Sequence, residues 1–244
     1  MKRILRPLLA LLLAFALPNA AAAVWWTSQP HPAGWRAADW SSSGLLPRAA
    51  DEPQAALYVL SARTGGLKGA VATHAWIVLK DKGGAWERYD KVGWGMPVRR
   101  DGWAADGRWY SNTPVVVAKV TGPAAEPLVA RARAAIAAYP FAQRGDYTLW
   151  PGPNSNTLVA HVLRALPGLD ATLPPTAIGK DFRVLGDFVT VAADWRDVEF
   201  SLGGVAGLAL GARHGVELRL LGLTLGLDLA RPALKLPGVG RVGW

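Results

Sequence analysis

Hydrophobic and polar positions change rhythm along the chain, and each change predicts a different element. An apolar run over 8–17 follows Lys2, Arg3 and Arg6, ends at Pro18 and gives way to four alanines, Ala20 to Ala23. Residues 24–53 hold Pro, Gly, Ser and Trp without any period, which predicts an irregular leader on the surface. From Ala55 the pattern tightens. A short apolar run over 57–62 predicts a strand, Gly65, Gly66 and Gly69 a turn, and 70–80 a second strand carrying His74 and Trp76. Asp81-Lys82-Gly83-Gly84 is a hairpin-type turn, and 86–92 is the returning strand, ended by Gly93-Trp94-Gly95. A β-branched run over 114–119 completes an antiparallel meander.

The next segments change period. Leu128, Val129, Ala132 and Ile136 stand three and four apart, predicting an amphipathic helix over 126–138 that Tyr139-Pro140 stops. Leu158, Val159, Val162, Leu163 and Leu166 form the buried stripe of a second helix, with Asn154, Ser155 or Asn156 as its N-cap and Pro167-Gly168 closing it. From Asp197 strict alternation returns: Val198, Phe200, Leu202, Leu208 and Leu210 against Glu199, Ser201, Gly203 and Gly207. A second long strand follows over 216–229, and its phase change between Leu220 and Leu221 predicts a bulge or bend in a long hairpin. The predicted fold is α+β, an antiparallel sheet with two or three helices on one side and a C-terminal β-hairpin extension. The segments are 1–23 signal peptide, 24–53 leader, 54–196 core domain and 197–244 extension.

The first segment alters the picture most. A basic start, an apolar run of about ten residues and a small-residue site form the three-part pattern of a secretory signal. Such a run is short of the roughly 20 residues a bilayer span needs. Cleavage after Ala23 is expected, with an uncleaved anchor as the alternative, so the protein is exported to the periplasm or cell envelope. With no cysteine, disulfides, thiolate nucleophiles, sulfur-ligated metals and lipoprotein anchoring are excluded. The charge is +9, and loss of Lys2, Arg3 and Arg6 lowers 27 cations to 24 against 18 acids, a surplus of six. These cations are scattered and do not alternate with aromatics, so nucleic acid is not an expected partner. Mild positive charge suits peripheral contact with an anionic envelope surface. Twelve tryptophans are many for this length; Trp35, Trp94, Trp103, Trp109 and Trp150 sit beside glycine or at loop edges, where rings can line a cleft.

Candidate chemistry is sparse. Gly179-Lys180 imitates the end of a phosphate loop, but Pro174 and Asp181 occupy positions that need glycine and Ser/Thr. The four histidines lack metal-ligand spacing, so neither a metal nor another cofactor is expected. What remains is His74 with the string Trp150-Pro-Gly-Pro-Asn-Ser-Asn-Thr157. A helix N-terminus favours an anion, including a tetrahedral oxyanion. A hydroxyl there, facing a strand histidine, has the layout of an activated nucleophile. That assigns Ser155 as nucleophile, His74 as base and Asp90 as the orienting group, with Glu87 second, and Asn154, Asn156, Trp150 and Trp94 to binding. The plain reading of the same residues is an N-cap and a hydrogen-bonded core histidine.

The strings Gly69-Ala-Val-Ala-Thr-His-Ala-Trp-Ile-Val-Leu-Lys80, Trp150-Pro-Gly-Pro-Asn-Ser-Asn-Thr157 and Ala177-Ile-Gly-Lys-Asp-Phe182 resemble a bacterial family known as a domain of unknown function, over roughly residues 55–230. More distantly, a strand histidine, a short meander and an Asn-nucleophile-polar string opening a helix are similar to the circularly permuted papain-like group. That group includes the NlpC-type peptidases and lecithin-retinol acyltransferase relatives. The resemblance implies a permuted papain-like core, with His74 in the histidine position and Ser155 where the group has cysteine. A serine hydroxyl is far less ionised than a thiol and depends wholly on its base. Two functions follow: a cofactor-independent amide or ester hydrolase or acyltransferase, acting on cell-wall peptide, glycan or lipid, or a non-catalytic envelope protein that binds a ligand or serves a structural role.

Overall fold

The four strands that the meander pattern marks form an antiparallel sheet, and a short fifth strand over 98–100, which the pattern does not mark, extends it at one edge. β1 (Ala56–Arg63), β2 (Thr73–Lys80), β3 (Glu87–Lys91), β4 (Val98–Arg100) and β5 (Val115–Thr121) pair in the order β4-β3-β2-β1-β5. The computed structural model describes residues 2–184 and 186–243, with side chains from Leu5 onward. Both faces of β1 and β2 are covered, which is why their apolar runs are nearly continuous rather than alternating. Leu57, Val59, Ala75, Ile77 and Leu79 pack against α2 (Ala125–Ala137) and α3 (Ser155–Arg164). Ala56, Tyr58, Leu60, Trp76 and Val78 point the other way, onto Trp109 and the partly buried Trp40, Trp86 and Trp103. The leader over 28–53 is therefore a lid on this second face. The buried Asp106 carboxylate pins it by accepting from the Ser42 and Ser43 hydroxyls and the Leu46 amide.

The C-terminal region is a sheet of its own and not a single hairpin. β6 (Val189–Val191), β7 (Asp197–Leu202), β8 (Ala206–Gly211), β9 (Gly215–Leu220), β10 (Leu223–Asp228), β11 (Ala233–Leu236) and β12 (Gly240–Gly243) follow one another in space as in sequence. The expected bulge at Leu220–Leu221 is instead a reversal of the chain. Leu220 pairs with Leu223, and Leu221 and Gly222, at φ 54° and 80°, make a two-residue turn of the primed kind. Leucine in a left-handed position is unusual, so the turn carries only half of the Asn-Gly signal that marks such hairpins.

Register lines up the faces of this sheet. Val191, Val198, Leu210, Val216, Leu227, Leu234 and Val242 stand side by side across all seven strands, and each is at least two-fifths exposed or close to it. The adjacent row, Thr190, Glu199, Ala209, Glu217, Gly226, Lys235 and Arg241, faces the opposite way. There Glu217, buried completely, accepts from Arg219 at 2.6 and 2.9 Å, Lys235 at 2.5 Å and Lys180 at 3.3 Å. The charged face is inside and the aliphatic face outside.

The N-terminus also departs from expectation. α1 (Lys2–Thr27) continues through Pro18. The Asn19 amide donates to the Phe15 carbonyl at 2.8 Å, beside the hydrogen bond that proline cannot make. Leu5–Thr27, 23 residues of mean hydropathy 2.0, is long and apolar enough to cross a membrane, whereas the ten-residue run alone is not. Its C-terminal end is docked. Trp26 is buried, its indole donates to the Gly66 carbonyl at 3.1 Å, and its ring occupies the space a Cβ at Gly69 would take.

Candidate functional site

The Trp-Pro-Gly-Pro-Asn-Ser-Asn-Thr string builds the start of α3 as a lattice of hydrogen bonds in which the buried Asn156 Oδ1 alone among its asparagine side-chain atoms has no partner among the described residues. Asn154 is the N-cap: its Oδ1 accepts from the amides of Asn156 at 2.9 Å and Thr157 at 3.2 Å, and Thr157 Oγ1 accepts from the Asn154 amide at 3.1 Å. The Asn154 side-chain amide donates to the carbonyls of Leu149 and Ile178, both at 3.0 Å. Asn156 Nδ2 donates to Thr73 at 2.9 Å and to Ile178 at 2.8 Å. Gly179, at φ 89°, presses on the Asn154 amide with no room for a Cβ, and its carbonyl accepts from Thr157 Oγ1 at 2.8 Å. The Ala-Ile-Gly-Lys-Asp-Phe string is thus the other half of this clamp. The donor hydrogens of Asn154 and Asn156 are engaged within the chain.

The clamp brings the start of α3 to the start of β2, since the Asn156 partner, Thr73, precedes His74. Ser155 opens the helix and is 4 % exposed. Its hydroxyl makes no hydrogen bond to His74 among the described residues.

His74 is 5 % exposed and its Nε2 donates to Asp90 Oδ1 at 2.9 Å; a carboxylate only accepts, so Nδ1 is the bare nitrogen of the neutral ring. Asp90 in turn takes two bonds from Arg88, Nε to Oδ2 at 2.7 Å and Nη2 to Oδ1 at 2.9 Å. The guanidinium lies 4.0 Å from the Trp76 ring centroid, and the His74 imidazole stacks on Trp109 at 3.7 Å with the planes 4° apart. His74, Trp76, Arg88 and Asp90 lie on the face of the five-stranded sheet opposite to α3, as strand alternation requires, and Trp109 packs on the same face. Burial depresses the His74 pKa and outweighs the Asp90 hydrogen bond and charge that raise it. For Asp90 burial alone would raise the pKa, and the Arg88 charge with the hydrogen bonds from His74 and Arg88 more than reverses it. The carboxylate that would strengthen the base is already neutralised by arginine.

Of the expected residues the structure therefore joins His74 to Asp90 and leaves Ser155 unbonded to either. Glu87 points to the other face, accepting from Tyr89 and Arg133. Trp150 donates from its indole to the Leu221 carbonyl at 2.9 Å, tying the motif to the second sheet, and Trp94 lies under Arg99 at 5.4 Å. The residue beside His74 and Asp90 that sequence reasoning passed over is Arg88. Its signal was a spacing of two from Asp90, which puts both on one face of a strand. Trp109, one of the loop-edge tryptophans, is buried against His74 and lines no open cleft.

A cavity of about 250 Å³ lies elsewhere, between the C-terminal end of α3 and the charged face of the second sheet, lined by Arg164, Leu173, Lys180, Glu199 and His214 among others. Lys180 is buried there with its pKa lowered to about 8, chiefly by desolvation, and bonds Glu217 and two carbonyls. Among the described residues no three His, Cys, Asp or Glu side chains are grouped to hold a metal ion.

The family model described as Protein of unknown function (DUF3750) matches residues 54–182, more than half of the chain. That span takes in the five-stranded sheet, both packed helices and both halves of the clamp, and ends before the second sheet. No curated protein and no solved structure matches the chain.

Proposed function

The chain belongs to the DUF3750 family, and from the geometry of its core we propose that it is a membrane-anchored, non-catalytic protein of the cell envelope. One observation carries the reading: two groups of the expected triad, His74 and Asp90, are committed to holding the fold, and the third is not joined to them. His74 is stacked on Trp109 and bonded to an aspartate that Arg88 already neutralises, while the Ser155 hydroxyl has no bond to that ring. A general base needs hydrogen-bond reach to its nucleophile and a pKa near the working pH; here burial lowers the latter. Asn154 and Asn156, whose side-chain amides would have gripped a substrate, clamp Leu149, Thr73 and Ile178 instead. The family domain is then a rigid platform, and α1 its anchor. Retention of α1 is favoured because the helix is unbroken across Ala20 to Thr27, with Ala22 and Trp26 buried against the body.

A serine-directed fluorophosphonate probe tests the first part: no labelling of the folded wild-type chain is expected, and labelling that Ser155→Ala abolishes would overturn the reading. The intact mass of the exported protein tests the second. A chain that still includes residues 1–23 is expected, and one starting at Val24 would remove the anchor.

A further inference from the structure

The second sheet wears its faces in the reverse of the usual order, and α1 indicates what lies against the outer one. Six strand spacings of about 4.8 Å and strands of three to six residues, about 10–20 Å long, give an outward face of roughly 500 Å². That is toward the upper end of apolar patches on soluble monomers. The turns add to it, with Val205, Leu221 and Leu229 exposed at three hairpin tips. Among the described residues its side chains are aliphatic apart from Phe200, whereas protein–protein interfaces are enriched in aromatics, Met and Arg.

Depth identifies the occupant. α1 touches β10, Phe15 is buried, and Asn19 and Ala22 meet Gly238 in the β11–β12 turn. Leu5–Thr27 measures about 35 Å along its axis, and Phe15 and Asn19 lie about 18 and 12 Å from its C-terminal end. When α1 spans a hydrocarbon core of about 30 Å, Asn19 is inside the outer half of the bilayer and Phe15 close to its midplane, and whatever packs on them is at lipid level. The sheet edge that packs on them presents leucines and valines outward and keeps its charges inward.

We infer that the aliphatic face of the second sheet lies in the outer leaflet of the lipid bilayer that α1 crosses, as a monotopic contact. Strands of at most six residues reach about 20 Å and the sheet is open at both edges, whose N–H and C=O groups hydrocarbon would leave unsatisfied, so it does not span the membrane and only its aliphatic side chains enter the lipid. Two of the exposed tryptophans suit the headgroup zone: Trp25 at the end of α1, and Trp195, 84 % exposed in the β6–β7 turn. The net positive charge of the chain favours anionic lipid. The inference rests on the proposed function only for the anchor, and its test separates the two.

The chain has no cysteine, so single cysteines can be labelled cleanly. The full chain would be reconstituted in phosphatidylethanolamine–phosphatidylglycerol vesicles, with a nitrobenzoxadiazole fluorophore on Leu210→Cys, on Leu227→Cys or, as a control in the β2–β3 turn, on Lys82→Cys. The expected result is a blue shift, a several-fold rise in emission and quenching by doxyl lipids at the two sheet positions and none at the control. Emission at Leu210 and Leu227 as water-like as at Lys82 would overturn the inference. So would a blue shift that doxyl lipids fail to quench and that fades on dilution, which would assign the face to a second copy of the chain. Quenching in a chain whose mass shows α1 removed would sink the anchor and keep the sheet contact; an intact α1 without quenching would do the reverse.

Discussion

The two sheets of this protein use opposite sides for the same kind of residue. In the five-stranded sheet the leucines and valines of β1 and β2 are sealed between α2 and α3 on one face and the tryptophan-rich lid on the other. In the seven-stranded sheet the leucines and valines face out, and Glu199, Glu217, Arg219 and Lys235 are within. Alternation of period two shows that a strand has two faces and says nothing about which is inside. The inward direction is set by what the rest of the chain offers. Lys180, from the family domain, supplies a charge that needs a partner, and Glu217 supplies it at 3.3 Å.

The sharpest way to break the contrast is to delete its central charge. Glu217→Ala strands Lys180, Arg219 and Lys235 together in the interior, and a loss of about 3–5 kcal/mol is expected in urea unfolding. If the polar side were the solvent side, the loss would be under about 1 kcal/mol. A pair of leucines sharpens the comparison. Leu79→Ala in the first sheet is expected to cost about 2–5 kcal/mol, and Leu210→Ala in the second, measured in detergent, about 0.5 kcal/mol or less. Gly179→Ala probes the joint between the regions. A Cβ there meets the Asn154 amide at a left-handed φ of 89°, and about 1–3 kcal/mol of destabilisation is expected.

Acid should reach the two sheets in sequence. The folded His74 pKa is below 6.5, so its contribution to stability is full above that value and declines as the pH falls beneath it; His74→Gln should flatten this part of the profile. Glu199 is held down at about 2: burial alone would raise it, and the charges of Arg219, His214 and Arg183 more than reverse that. Its stability is full above the ordinary 4.5 and lost as the pH falls from there toward 2. Hydrogen exchange against pH should show protection falling first in β2 and β3 and later in β7 and β9. The smallest effect is expected from Ser155→Ala, within about 0.5 kcal/mol in thermal unfolding, because its hydroxyl has no bond to His74 to lose.

Much of the first sheet was legible in the sequence because its signals are local. Four of its strands, the Asp81–Gly84 turn and the stripe of α3 each follow from a few neighbouring residues, while β4, three residues long, carries too short a pattern to be read. The pairing of His74 with Asp90 also followed, from adjacent strands of one meander. What stayed hidden is non-local or atypical. Pro18 reads as a terminator, yet α1 passes through it. Leu221-Gly222 is a hairpin turn without its usual asparagine or aspartate, so two strands read as one. Asn154 and Asn156 read equally as ligand contacts and as clamps, and only the position of the Ile178 carbonyl, 22 and 24 residues away, decides for the clamp. Arg88 hides by being an ordinary charged residue in a strand, until Trp76 and Asp90 enclose it.

Strand order itself has a kinetic consequence. In the first sheet β5 pairs with β1 across the whole β2–β4 excursion, so that contact must wait for a long loop to close. In the second sheet every strand pairs with its sequence neighbour, and the sheet can zip from hairpin to hairpin with low contact order. Its charged row finds partners such as Lys180 only once the family domain is in place. The domain thus acts as a template that picks which side of a fast-forming ribbon turns inward, and a stalled template would leave that ribbon with both faces unclaimed and prone to aggregate.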